Sequence, residues 1–477
     1  MKKVLSIIAK VHGKTFFRNF GDVFPRMRQD VACCDAMEGA VALLGGGRLE
    51  QNVWKGRNVT QATSALAFLA CLVCALMSCT LSAAEETFPI MAWGWVGWAG
   101  EKANSPALYE EMKECGFSIA GFAGADAQIE AAGKAGMKVL YTNDKAMSNR
   151  DWMNPDVEQW RKDIQPIVEK YKDNDTVFGY YVKDEPNEPE VDGVLAMGKL
   201  MKELAPEKMA YMNLFPMPNS ASPSHFAPRN YYDYTDHIYG SDYSSSGFDQ
   251  YVFYFDGFMR PTFYKCMEIH RELSLKHGKQ WWYCALSIAH RYYADPTFTQ
   301  LAHQAFSALA YGARGLSWFT YLPVQKNGWY NSPLDDFMQR THTWYDLKYI
   351  NSAIQNYAYV LNHLKSDRVY HFGSTVPETD ERVPAPDADS LISGMEGSSN
   401  WLIGEFTHEQ DGGRWLIIVN KNLNAPVECK PIWRKQPSRI KIHFVNRKGE
   451  DDFSRAADTN IFRPGMGALI HVYFDEQ

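Results

Sequence analysis

The sequence predicts an α/β protein in which a (β/α)8 TIM barrel is followed by a small C-terminal antiparallel β-sandwich domain. Three observations predict this fold. Eight short runs of β-forming residues alternate with helical patterns between residues 90 and 321. Several helical patterns end in glycine just before the next run, which is typical of a helix stop. After residue 366 the helical periodicity gives way to short alternating runs separated by turn residues, which indicates antiparallel strands.

The eight predicted barrel strands are spaced so that a helix fits between most neighbours. Strand–helix alternation repeated eight times favours a closed parallel barrel. A doubly wound open sheet is the alternative, but no glycine-rich phosphate loop follows the first strand. The strands are predicted at residues 90–96, 117–122, 138–142, 177–182, 209–214, 237–241, 281–286 and 316–321. The helices are predicted at residues 107–115, 127–136, 156–171, 191–204, 262–277 and 299–311, with a closing helix at 341–364.

Two segments do not fit the strand–helix alternation. Residues 216–234 are rich in Pro, Ser and Asn, and we interpret them as a long loop after the fifth strand. The C-terminal domain, residues 367–477, contains predicted strands at 401–406, 415–419, 440–444 and 468–474. The barrel domain is therefore assigned to residues 85–366.

Residues 1–84 are typical of an export signal behind a start codon assigned too far upstream. An uncharged apolar stretch at residues 65–78 follows Lys55 and Arg57, and small residues follow it at 82–84. The stretch is short for a membrane span. A lipoprotein signal is the alternative, in which lipidated Cys79 tethers the protein to a membrane. The predicted location is periplasmic, extracellular or lipid-anchored at the cell surface.

The amino-acid composition of the chain excludes several classes of function. Hydrophobic residues make up 45% of the chain and charged residues 22%, which is globular composition. Residues 85–477 contain 39 basic and 51 acidic residues, which gives them a formal charge of −12. This balance argues against a nucleic-acid partner. The sequence carries no zinc spacing, HExxH or EF-hand loop, so neither a metal nor a cofactor is predicted, and no stable protein partner is inferred.

The strongest catalytic signal lies at the end of the predicted fourth strand. Reactive groups of such barrels sit at the carboxyl ends of the strands. Here the chain continues as Asp184-Glu185-Pro186-Asn187. Pro186 favours an extended exit from the strand, and a carboxylic acid held at a strand end is suited to general acid catalysis. Two loop carboxylates near a helix N-terminus are the alternative interpretation.

These residues resemble a motif of the clan A glycoside hydrolases, which have a (β/α)8 barrel and often a C-terminal β domain. The clan places its acid/base glutamate after strand four, in an Asn-Glu-Pro-like motif that Asp184-Glu185-Pro186-Asn187 resembles. The resemblance therefore implies that Glu185 is the acid/base. Trp318, in the predicted eighth strand, resembles the clan's sugar-site tryptophan. The similarity extends over roughly residues 89–474, and the order of the motifs carries it.

The chain departs from the clan at the predicted seventh strand. The clan's nucleophile is a glutamate at the end of that strand, and residues 281–290 contain neither Glu nor Asp. Three alternatives remain. An inverting enzyme would pair Glu185 with a carboxylate base, with Asp242 as the first candidate and Asp184 as the second. The substrate itself could supply the nucleophile, or the barrel could bind glycan without cleaving it.

Polar and aromatic residues near the other predicted strand ends are candidate sugar contacts, because indole and phenol rings stack on the apolar faces of sugars. The candidates are Trp93, Trp95, Asn143, Asn213, Tyr243, Tyr283, His290, Trp318 and Trp329. The sequence therefore predicts an exported glycoside hydrolase acting on a poly- or oligosaccharide. The alternative is a non-catalytic glycan-binding protein on a degenerate barrel.

Overall fold

The structure is a computed structural model, and the residues that it describes form one compact unit. Residues 1–85 lie outside the described part of the chain, and with them the predicted export signal and Cys79. Within the described part, no helix has the length and apolar character that a bilayer crossing requires. The described ranges are 86–219, 224–243, 245–324, 328–373, 385–397, 400–455 and 458–475.

Eight parallel strands close into a barrel, which confirms the predicted (β/α)8 fold. Each strand pairs with its two neighbours, and β1 closes the barrel by pairing with β8 through Ile90 and Leu316. The strands are β1 (Ile90–Trp93), β2 (Ile119–Ala123), β3 (Lys138–Tyr141), β4 (Val177–Asp184), β5 (Met209–Leu214), β6 (Ser245–Asp249), β7 (Gln280–Leu286) and β8 (Gly315–Phe319).

One α-helix follows each barrel strand. Local chemistry defines several of their ends: the Ser105 side chain caps the first helix, and Thr297 forms a capping box with Gln300 at the seventh. Gly278 ends the sixth helix with a left-handed φ of 63°. The helices are α1 (Pro106–Glu114), α2 (Asp126–Lys134), α3 (Val157–Tyr171), α4 (Val191–Leu204), α5 (Tyr231–Tyr239), α6 (Phe263–His277), α7 (Phe298–Ala310) and α8 (His342–Leu361).

The predicted position of strand six is wrong. Residues 237–239 belong to helix α5, whose N-cap Asn230 accepts a hydrogen bond from the backbone N–H of Asp233. The helix buries Tyr231, Tyr234 and Ile238, a spacing of three and four residues that places them on one face. The true sixth strand is the less β-like segment that ends at Asp249. This change moves the carboxyl end of strand six from Ser241 to Asp249.

The C-terminal residues form the predicted antiparallel β domain. Its main sheet has six strands in the order β9-β11-β12-β18-β15-β16, and two two-stranded sheets, β10-β14 and β13-β17, lie beside it. A core that includes Trp401, Leu416 and Ile470 fills the space between these sheets. The strands are β9 (Leu364–Phe372), β10 (Ile392–Met395), β11 (Trp401–His408), β12 (Arg414–Asn420), β13 (Val427–Glu428), β14 (Pro431–Trp433), β15 (Arg439–His443), β16 (Glu450–Asp452), β17 (Ile461–Phe462) and β18 (Gly467–Tyr473).

The main sheet of the β domain packs against barrel helix α7. Leu402, Ile417 and Leu469 share one continuous core with the barrel helices, and α7 is buried over almost its whole length. The approach is close at Gly404, where an added Cβ would lie 2.0 Å from the carbonyl oxygen of Ala310. A glycine at this position therefore lets the sheet reach the end of α7.

Candidate active site

Three carboxylic acids meet at the carboxyl end of the barrel. Asp184 ends β4, Glu185 follows it, and Asp249 ends β6. Asn213 lies on β5, between these two strands. Because all eight strands are parallel, these residues reach the same face of the barrel. The cluster contains the predicted Asp184, Glu185 and Asn213, and it adds Asp249, which sequence reasoning missed.

Asn213 connects the acids. Its Nδ2 donates to Asp249 Oδ1 at 3.0 Å and to Asp184 Oδ1 at 3.4 Å. The backbone N–H of Glu185 donates to the Asn213 carbonyl oxygen at 2.7 Å. The side chain of Tyr181 lies next to Asp184, and the carboxyl groups of Glu185 and Asp249 lie next to each other.

Burial and mutual repulsion raise the pKa values of all three acids. Desolvation, followed by the charge of Asp184, raises the pKa of Glu185 to about 7. Desolvation raises the pKa of Asp184 to about 6, against the opposing hydrogen bond from Asn213. Desolvation and the neighbouring Glu185 raise the pKa of buried Asp249 well above its usual range. Near neutral pH the cluster therefore contains both a protonated acid and an ionised carboxylate, as acid–base catalysis requires.

Aromatic rings surround the mouth of the barrel beside this cluster. Trp93, at the end of β1, lies 5.1 Å from Phe122 and 5.2 Å from Phe319 between ring centroids. Across the mouth, a two-residue strand ending in His290 pairs with a strand beginning at Trp329, and their rings lie 4.2 Å apart. The structure thus places the predicted Trp93, His290 and Trp329 around one opening.

A second group of predicted residues lines a neighbouring cavity. This cavity has a volume of about 490 Å³, and its walls include Trp95, Asn143, Lys145 and Tyr181. Trp95 is 48% exposed. Tyr181 also contacts Asp184, so the cavity adjoins the carboxyl cluster. We call it the Trp95 cavity below.

Two predicted residues lie at the opposite end of the barrel. Asp242 and Tyr243 precede β6, so they lie at its amino end. Asp242 is partly exposed and pairs with Lys202 at 3.0 Å, whereas the Tyr243 hydroxyl is buried and donates to the Val194 carbonyl oxygen at 2.8 Å. The prediction that they follow a strand is wrong, because the assumed strand is the end of helix α5. Neither residue reaches the carboxyl cluster.

Two further predicted residues lie on barrel strands but point away from the interior. Trp318 donates through Nε1 to Asn351 Oδ1 on α8 at 3.0 Å. Tyr283 belongs to the core between barrel and helices, whereas its neighbours Trp282 and Cys284 pack inside the barrel. Successive strand residues alternate between faces, which accounts for both outcomes. Trp318 and Tyr283 are therefore core residues and not sugar contacts.

One feature of the sequence could have identified Asp249 as a site residue. Asn230 followed by buried-type residues at helical spacing indicates helix α5, and the sixth strand must then come later. Within the described residues, no group of three or more His, Cys, Asp or Glu side chains is arranged to hold a metal ion.

Comparisons with known proteins identify the fold. No family model matches the chain, and no curated protein matches it either. A glycoside hydrolase family 5 structure from Bacteroides vulgatus is similar, with a TM-score of 0.50 and 10% identity over 81% of this chain and 89% of that one. At this identity the similarity shows only that the two proteins share the barrel fold.

Two other solved structures are similar at lower TM-scores. One is a glycoside hydrolase, with a TM-score of 0.49 and 11% identity over 83% of this chain and 96% of that one. The other is a β-galactosidase from the psychrophilic Marinomonas ef1, with a TM-score of 0.45 and 10% identity over 58% of this chain. The chain spans 62% of the length of that β-galactosidase.

Proposed function

We propose that the protein is a glycoside hydrolase and that Glu185 is its general acid. The observation that carries the proposal is the cluster of Asp184, Glu185 and Asp249 at the carboxyl face of a glycoside hydrolase-like barrel. A general acid should titrate near the working pH, and the pKa of Glu185 is raised to about 7. Asp184, whose pKa of about 6 is lower, is the acid that ionises first.

The proposed reaction has two proton transfers. Glu185 donates its proton to the glycosidic oxygen as the bond between that oxygen and the anomeric carbon breaks. The negative charge of Asp184 stabilises the positive charge that develops on the sugar ring. Water then adds to the anomeric carbon and gives its proton to ionised Glu185, which restores the acid. Asp249 and Asn213 hold Glu185 in place during both transfers.

The substrate that we propose is a poly- or oligosaccharide. Trp93, Trp95 and Trp329 offer ring faces beside the carboxyl cluster, and such faces stack on sugar rings. We further propose that the protein is exported, either secreted or tethered through Cys79. The predicted export signal would bring the enzyme to glycans outside the cell.

The test is sugar release from a broad panel of glycans by the purified protein and two variants. Glu185→Gln keeps the shape of the side chain and removes the acid, so we expect no release from any glycan that the parent cleaves. Asp242→Asn removes a carboxylate at the opposite end of the barrel, and we expect it to cleave like the parent. Equal release by parent and Glu185→Gln would show that another residue is the acid.

A second candidate function is glycan binding without hydrolysis. The observation that favours it lies in the described β7 and the residues after it, 280–290, which carry no carboxylate. Binding of a panel glycan by the parent, with no sugar release, would support this function and contradict the proposed hydrolase. The Glu185→Gln variant should then bind that glycan as the parent does.

A further inference from the structure

Among the described residues, one cation that lines the Trp95 cavity has no ion-pair partner. Lys145 is the charged side chain among the described residues that line it. It forms no ion pair or hydrogen bond with any other described side chain. Its neighbours differ in this respect: Arg150 pairs with Asp163 at 2.8 Å, and Lys170 pairs with Asp126 at 2.7 Å. Lys145 therefore keeps its charge available to a ligand.

The remaining walls of the cavity suit a sugar ring. Trp95 provides an exposed indole face, and the side chain of Asn143 lies on the same lining. A volume of about 490 Å³ lies within the range of small-molecule sites. Residues 85–477 carry a formal charge of −12, so an anionic ligand is repelled by most of the molecule and needs a local cation. Lys145 meets that need.

The cavity adjoins the carboxyl cluster through Tyr181. The Tyr181 ring stacks on Phe122 with centroids 4.0 Å apart, and both rings line the cavity. The side chain of the same Tyr181 lies next to Asp184. A sugar unit in the cavity would thus lie next to the bond being cleaved, while its acidic group faces Lys145 rather than the three acids.

We infer that the Trp95 cavity is a subsite for a uronic acid unit, whose ring stacks on Trp95 and whose carboxylate pairs with Lys145. This inference rests on the proposed function, since it names the substrate class of that same site. A charge-assisted contact of this kind should favour the acid over its neutral ester about five- to tenfold.

The experiment measures binding rather than hydrolysis. Three acidic probes are used: the trimers of galacturonate and mannuronate, and a hyaluronan tetrasaccharide, each beside its methyl ester. The background is Glu185→Gln, in which turnover is blocked, and tryptophan fluorescence and calorimetry follow the titration at low salt. We expect at least one acid to bind five- to tenfold more tightly than its ester, and the preference to shrink as salt is added.

Variants in the same background locate the preference. Lys145→Gln should abolish it and Lys145→Arg should retain it. Trp95→Ala should weaken acid and ester alike, because stacking is independent of the charge. Lys172→Gln, which removes an exposed lysine after α3, should leave the preference unchanged.

Two results would overturn the inference. One is equal binding of acid and ester, or no binding, for all three probes. The other is a preference that survives Lys145→Gln. Sugar release by the parent is measured on the same six glycans. Loss of the preference and loss of hydrolysis are therefore separate outcomes, and the proposed function can fail while the uronate subsite stands.

Discussion

Glu185 has an unusual backbone conformation that fixes its carboxyl group. Its φ is 44°, a left-handed value that costs a residue with a Cβ about 1–3 kcal/mol. The hydrogen bond from its N–H to the Asn213 carbonyl oxygen holds this conformation, against the extended backbone that the following Pro186 favours and the sequence predicted. Strain of this kind persists where the surrounding structure enforces it, as β5 does here. The carboxyl group is thereby directed toward Asp249 rather than along β4.

The pKa values of the acids predict a pH profile. Since the proposed general acid must be protonated, kcat/KM should fall as pH rises through about 7, the pKa of Glu185. Asp184→Asn removes the negative charge that helps to raise this pKa, so the descending limb should move to lower pH. The measurement is kcat/KM against pH for both proteins, on a glycan that the parent cleaves. An unmoved limb in Asp184→Asn would contradict the assignment of Glu185.

Helix α5 is the element that decides where the site is built. It occupies the connection between β5 and β6, and its presence shifts the sixth strand so that Asp249 and not Ser241 ends it. The side chain of Asn230 caps its first turn, and two tyrosine hydroxyls of the helix, those of Tyr231 and Tyr239, hydrogen-bond to buried His270 on α6. These contacts anchor a short helix against its neighbour.

Loss of the cap should weaken this helix measurably. Asn230→Ala removes the side-chain acceptor for the Asp233 N–H, and we expect a loss of about 1 kcal/mol in the free energy of unfolding. Asn230→Ser, which can still accept that hydrogen bond, should lose much less. Urea denaturation of the three proteins measures the difference. Equal stabilities would mean that the cap contributes nothing to α5.

The sequence predicted the strongly patterned elements and failed where the pattern was weak. Seven barrel strands and the β domain were predicted, because their apolar runs and glycine stops are local signals. Strand β6 reads Ser-Ser-Gly-Phe-Asp, and its position is set by barrel closure rather than by β propensity. Glu185 was predicted from a local motif, and the structure places it in the carboxyl cluster. Asp249 was missed, because its place in the cluster depends on contacts with distant parts of the chain.

The sequence also did not show which face of each strand a residue occupies. A strand sequence does not state which residues face the barrel axis, and a shift of one residue exchanges the two faces. Trp318 and Tyr283 were therefore assigned to the wrong face. Asn213, also on a strand, was predicted to contact sugar, and the structure places it between the acids, where a buried asparagine finds polar partners.

A buried lysine lies where the β domain meets the barrel. Lys421, just after β12, contacts His371 Nδ1 at 3.1 Å, and His371 Nε2 hydrogen-bonds with the Tyr311 hydroxyl at 2.9 Å. The Lys421 ammonium also lies 5.6 Å from the centre of the Tyr264 ring. Desolvation lowers the pKa of Lys421 to about 7. This junction thus contains a polar group that the folded protein prefers to keep neutral.

The stability of the whole molecule should reflect this lysine. Lys421 is protonated below a pH of about 10.5 in the unfolded chain, but only below about 7 in the folded protein. The contribution of Lys421 to the free energy of unfolding therefore falls as the pH decreases between these values. The shift corresponds to at most about 5 kcal/mol, and the lost hydrogen bond to His371 offsets part of it. We expect Lys421→Met to stabilise the protein by about 2 kcal/mol at pH 7 and by less at pH 10.

Urea denaturation at the two pH values measures this effect, with Lys365→Met on the exposed edge of β9 as the matched control. The control should show no such pH dependence. Destabilisation of Lys421→Met at both pH values would contradict the prediction.

The close approach at Gly404 limits how the gene can change. Because the backbone of α7 and the β sheet lie almost in contact there, the outer surface of the barrel and the inner surface of the β domain are inherited as a matched pair. Recombination at the chain position between the two would join surfaces that no longer fit. Related sequences should therefore keep glycine at position 404 whatever residue stands at 310, and the β domain should accompany its own barrel rather than be exchanged among different ones.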